Sequence, residues 1–172
     1  LLIMAGVQIA HVLVPDRQLA ENSYVIEVPE VAKVADVAPQ DTGPEPILAL
    51  LASADVAAGE KLAKKCTACH VFEAGGANKV GPALWGVVNK AKASVDGFAY
   101  SAALAGFGGA WDYQSLNAFL AKPKSYISGT KMNFAGLKKP EDRANMVAWM
   151  RTMADSQAPL PSAEDIAAES GS

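Results

Sequence analysis

The chain has 172 residues, 51% of them hydrophobic and 19% charged, which provides for a buried core and excludes a wholly disordered protein. The net charge of −3 is unevenly distributed. Residues 1–14 carry no charge, residues 15–53 are acidic, residues 54–154 carry a balance of +6, and residues 155–172 are acidic again. A moderately basic body between acidic extensions excludes a nucleic-acid binder, which would place its basic charge on extensions or on one much stronger face.

In chain order, Leu1–Val14 is an uncharged apolar run, shorter than the roughly 20 residues of a spanning helix. It reads as part of a membrane anchor. The rival reading is the apolar region of a cleaved signal peptide, for which Gln18-Leu19-Ala20 is a poor cleavage site. Residues 15–53 hold five of the ten prolines and read as a stiff, acidic, extended linker. Tyr24–Val28 within it could add as a strand to a partner, although plain coil is the simpler reading.

The folded domain is expected over 54–154. Ser53 or Asp55 caps a helix through Ala68, and Gly59 inside it suggests close approach by another element. Residues 71–92 read as loop and Phe98–Leu104 as a short helix. Asp112 caps a helix from Tyr113 to Ala121, stopped by Pro123. Pro140 opens a last helix with Glu141 and Asp142 in its first turn, and Met146, Trp149, Met150 and Met153 form one apolar stripe along it. No strand pattern is convincing, so the fold class is all-α. The acidic tail from Asp155 reads as mobile.

Both cysteines and one of the two histidines fall within Cys66-Thr67-Ala68-Cys69-His70. A redox dithiol would follow a strand, and none precedes Cys66. A zinc site would need a second Cys or His pair. A structural disulfide would leave His70 without a role. The spacing is the signature of covalent haem attachment, which places the protein outside the cytoplasm. Two thiols three positions apart lie on one side of a helical turn, and the next residue turns its imidazole toward the iron. For a second axial ligand, Met146, Met150 and Met153 lie on a helix, where Met more often fills a core. Met4 and His11 lie in the apolar run. Met132, in the Gly-containing loop Ser128–Phe134, is the favoured ligand.

With these features the chain resembles the class I cytochromes c over about residues 54–154. The resemblance is carried by AGEKLAKKCTACH, GGANKVGPALWGVV, GFAYSAAL, Trp111, AKPKSYISGTKMNFAG and the last helix. It implies a small all-α fold around one haem c bound through Cys66 and Cys69. His70 and Met132 would be the iron ligands, and the Pro82 carbonyl would orient His70. Tyr100, Trp111 and Thr130 would hydrogen-bond the haem propionates, and Gly59 would cross the last helix near Trp149. Three positions depart from the family pattern: Ser128 replaces a Pro, Phe119 a Tyr, and Ala63 a bulky aromatic.

The apolar start and acidic linker are similar to those of the membrane-anchored bacterial cytochromes c, the cytochrome c-y type. That resemblance implies an electron carrier, not an enzyme, tethered at the bacterial inner membrane with its haem domain on the periplasmic side. The partners implied are the acidic docking faces of a quinol–cytochrome c oxidoreductase, a terminal oxidase or a photosynthetic reaction centre. Lys64, Lys65, Lys79, Lys90, Lys131, Lys138 and Lys139 lie near the haem-binding segments and would meet such faces. The alternatives are a fixed electron-transfer subunit of one larger complex, and a haem sensor or enzyme with a labile Met ligand.

Overall fold

Asp55, Ser101 and Asp112 are small polar residues in extended backbone, each just before a helical run. Each accepts a hydrogen bond from a backbone N–H three residues on: Ala58 at 3.0 Å, Leu104 at 3.2 Å and Ser115 at 2.7 Å. These bonds satisfy donors that the first helical turn leaves without partners. A computed structural model of the protein describes residues 43–171. Its helices are α1 (Leu48–Leu51), α2 (Val56–Ala63), α3 (Ala102–Ala105), α4 (Tyr113–Ala121), α5 (Pro123–Tyr126), α6 (Pro140–Thr152) and α7 (Ala163–Ser170). Among the described residues the strand-like pairing is a single antiparallel bridge between Ala91 and Ala110. The apolar run at 1–14 and the segment at Tyr24–Val28 lie outside the described residues.

Two helix boundaries differ from expectation. The first helix of the domain stops at Ala63, not Ala68. Beyond it the backbone tightens into short turns, with Cys66 N–H donating to the Ala63 carbonyl and Cys69 N–H to the Cys66 carbonyl. The helix expected over Phe98–Leu104 begins at Ala102, because Ser101 holds extended backbone and serves as its cap.

α2 and α6 cross at Gly59. A side chain there would overlap the Asn145 carbonyl and approach Trp149 Cβ to 2.7 Å. The backbones meet closely enough for Asp55 N–H to donate to Asn145 Oδ1 at 2.8 Å. Around this crossing α6 buries Arg143, Ala144, Met146, Val147, Ala148 and Met150. That face is broader than the stripe read from the sequence, because α1, α2 and α4 all pack on it. Trp149 is only half-buried and meets Phe72 edge-on at 4.7 Å.

The packed unit extends past both 54 and 154. Ile47 is 0% exposed, and Leu48 and Leu51 join the same core. Residues 43–171 all lie within one compact unit, so 43–53 are part of the fold and not of the linker. The physical reason is Arg143, buried at 1% exposure. Its guanidinium donates to Asn117 Oδ1 at 2.6 Å, to the Leu137 and Lys138 carbonyls, and to the Glu45 carbonyl and carboxylate at 3.0 and 3.1 Å. Burying that cation requires the N-terminal segment as a partner. The tail is ordered as well. Trp85 Nε1, the Tyr113 hydroxyl and Arg151 Nε bond to Asp155, Pro159 and Ala158 respectively. α7 opens with a reciprocal Ser162–Asp165 capping box, and its Glu169 accepts from Leu48 N–H at 2.8 Å.

Candidate functional site: a cavity lined by two thiols, an imidazole and a loop methionine

The short turns after α2 place Cys66 and Cys69 on the wall of a cavity of about 300 Å³. Both thiols are free, Cys66 half-buried and Cys69 exposed. Burial pushes the Cys66 thiol above its ordinary range; the nearby Lys65 charge opposes this and Cys69 adds to it. His70 follows on the same wall. Its Nδ1–H donates to the Pro82 carbonyl at 2.7 Å, which fixes the ring and its tautomer and leaves Nε2 without a proton. Burial lowers the His70 pKa, and the Pro82 bond offsets part of that. Gly81 lies directly against the ring: a Cβ there would sit 2.7 Å from both Nδ1 and Nε2. Its N–H donates to the Cys69 carbonyl at 2.8 Å, so the motif and the Gly81-Pro82 segment are stitched together.

Asn78, to which the sequence reading assigned no role, supports that segment. Its amide donates to the Asp96 carbonyl at 2.9 Å and accepts from Ala83 N–H at 3.0 Å.

Met132 reaches the cavity from the loop after α5. Gly129 at φ +88° turns the chain there, and buried Thr130 accepts from Met132 N–H at 3.3 Å. Met132 packs against Leu104, Phe119 and Ile127. Lys131 ties the loop across the cavity rim by donating to the Ala99 and Tyr100 carbonyls at 3.0 and 3.4 Å. Met146 and Met150 also line the cavity, from α6.

All eight residues singled out in the sequence, Cys66, Cys69, His70, Pro82, Tyr100, Trp111, Thr130 and Met132, line this one cavity. The Tyr100 hydroxyl accepts from Val95 N–H at 3.2 Å and keeps its own proton to donate; burial raises its pKa. The Trp111 ring packs on Phe119 at 4.9 Å. The charged side chains of the lining are Lys65, Lys90 and Lys131, with no carboxylate among them. Such a chamber is apolar inside and positive where it is charged.

The family model for cytochrome c matches residues 56–154. The chain belongs to the cytochrome c family. A cytochrome c homolog of Bradyrhizobium diazoefficiens is 48% identical over 69% of this chain and 65% of its own length. One from Rickettsia felis is 41% identical over 80% of this chain and 79% of its own. Among solved structures, cytochrome cH from Methylobacterium extorquens is 43% identical, with a TM-score of 0.54 over 57% of this chain and 98% of that one. This cytochrome is therefore an electron carrier and not an enzyme, and it holds one haem c covalently through Cys66 and Cys69. The residues present fit that group. Two free thiols and an oriented imidazole meet one apolar cavity, and Gly81 leaves the ring room that a side chain would fill.

Proposed function

We propose that this cytochrome is tethered at the bacterial inner membrane, with its haem domain on the periplasmic side. It would carry single electrons from a quinol–cytochrome c oxidoreductase to a terminal oxidase. The observation that carries the reading is the cavity itself. It gathers Cys66, Cys69, His70 and Met132 on one apolar lining whose charged side chains are all lysines.

When bound, haem c supplies an iron that changes oxidation state by one electron. His70 and Met132, on the same cavity lining, would be the residues that hold that iron, and an iron held by both would favour electron transfer over ligand chemistry. The Pro82 carbonyl keeps the His70 ring in place, and the walls from Leu104, Leu116 and Phe119 exclude water. Tyr100, Trp111 and Thr130, which line the same cavity, would donate to the propionates. Little has to move on either side of a transfer. Lys65, Lys79, Lys90 and Lys131 meet acidic faces on the partners, where opposite charge speeds encounter and a small interface permits fast release.

The tether reading rests on the uncharged run at 1–14 and the acidic stretch after it. No helix among the described residues is long and apolar enough to cross a membrane. The test is single-turnover kinetics of the full-length protein in native membranes. Reduction by the oxidoreductase and reoxidation by the oxidase should both outpace steady-state respiration. A fixed subunit of one complex would show only one of these exchanges, and would co-purify with that complex.

A further inference from the structure

Lys92 belongs to none of the clusters described above and does not line the cavity, yet its ammonium group is tightly placed. It donates to the Ala110 carbonyl at 2.7 Å and to Ser115 Oγ at 3.1 Å. It lies 5.2 Å from the centre of the Trp111 ring and 5.3 Å from that of Phe107. Its own backbone N–H bonds to the Gly109 carbonyl at 2.9 Å. The two ends of the loop between Ala91 and Ala110 are thus pinned together at the peptide that carries Trp111. Ser115 is buried, accepts a second bond from the Tyr126 hydroxyl at 3.1 Å, and is held through its N–H by Asp112. The ion pair between Arg143 and Glu45 is the one found among the described residues, and among them no carboxylate pairs with Lys92.

We propose that Lys92 is a positioning residue for Trp111 and a fixed positive charge behind it, which together raise the cytochrome's affinity for its electron. The inference rests on the reading that haem c fills the cavity Trp111 lines. A half-buried ammonium over an aromatic face is screened less than a surface lysine, so its field reaches the cavity through the ring. An electron arriving there gains from that field. The backbone bond at Ala110 sets where the Trp111 indole N–H points, and so which propionate geometry it meets. An ordinary surface lysine would do neither.

The test compares Lys92→Met, Lys92→Gln and Lys92→Arg in the haem-loaded protein. Gln can still bond the Ala110 carbonyl, so it reads the charge even if Met weakens the fold. Covalent haem content by mass spectrometry and the absorption spectrum test the underlying reading and should be unchanged in all three. The neutral variants should lower the electron affinity by about three- to tenfold, the latter a fall of about 59 mV for a one-electron couple. Lys92→Arg should retain most of it. In the reduced protein, the indole N–H resonance of Trp111 should move in Lys92→Met while those of Trp85 and Trp149 stay. An unchanged midpoint in both neutral variants would overturn the proposal. So would an equal fall in Lys92→Arg, which would show that the charge is not responsible. Loss of covalent haem in the parent protein would instead sink the reading beneath it.

Discussion

His70 donates through Nδ1 to the Pro82 carbonyl at 2.7 Å, and Gly81, the residue just before that acceptor, lies so close to the same ring that a Cβ there would sit 2.7 Å from both ring nitrogens. The imidazole is held by a bond on one side and by the lack of a side chain on the other. Gly81→Ala should push the ring off its acceptor. We expect a loss of about 1–3 kcal/mol in denaturant unfolding of the haem-loaded protein, as for other overpacked sites. Wild-type stability in that variant would show that the ring has slack.

Met132→Ala should open the iron to added imidazole or azide and lower the midpoint potential. Titrations followed by absorption check this, since the parent should bind these ligands weakly. Met146 and Met150 line the same cavity but are locked into α6, beside the Gly59 crossing. If Met132→Ala keeps the parent spectrum and potential, one of them is the ligand.

Arg143→Met should cost about 3 kcal/mol or more, because it strips donors from Asn117 and from the Glu45, Leu137 and Lys138 carbonyls. Limited proteolysis should then cut between Gly43 and Leu51, where the parent resists. The same contact has a pH signature. The Glu45 carboxyl sits below its ordinary range, held first by its own backbone N–H and then by the Arg143 guanidinium. Its contribution is therefore full above the ordinary carboxylate range and is lost as pH falls through the lowered folded-state pKa. Glu45→Gln should flatten that part of the acid limb, and an unchanged acid limb would mean the pair adds nothing.

Much of this was legible in the sequence because the signals are local. Asp112 and Pro140 mark the starts of α4 and α6 by capping and by fixed φ, and the structure begins both helices there. The Gly59 contact could be read from one misplaced glycine. What was hidden is non-local. Nothing near Glu45 or Ile47 in sequence signals that Arg143, 98 positions beyond Glu45, needs them as partners, so the segment read as linker. Lys92 resembled any surface lysine because its hydrogen-bond acceptors, Ala110 and Ser115, lie 18 and 23 positions further along the chain. The tail read as mobile from its Pro and Ala content, although the Ser162-x-x-Asp165 pattern was a visible capping signal.

Reversing Lys79 and Lys131 to Glu should slow the second-order rate with a soluble partner fragment, most at low salt. Lys79 is anchored on the Thr67 carbonyl at 3.2 Å and Lys131 on Ala99, so both charges are held beside the cavity rim. Stopped-flow rates across a salt series decide the matter. A rate indifferent to salt and to both reversals would remove electrostatic docking from the account.

Under the proposed anchoring, residues 15–42 would connect the apolar run to the haem domain. A stretch of that length could span about 90 Å fully extended and about 30 Å as a flexible coil. Halving that stretch should slow turnover between separate complexes and leave the absorption spectrum unchanged. Carbonate washing should leave the full-length protein in the membrane pellet. Recovery of a soluble native form beginning after Ala20 would defeat the anchor.

The crossing of α2 with α6 at Gly59 also sets an order of events during synthesis. Asn145, which caps the approach at Asp55, is made 90 residues later. Until it arrives, α2 has no surface to lie on, and a helix of eight residues has little stability alone. The Cys66–His70 segment therefore emerges early on a stretch of chain that cannot yet close. Its thiols stay within reach of solvent and of whatever chemistry joins them to haem. Final folding waits for α6, and closure over the cavity falls after the motif has been exposed rather than before.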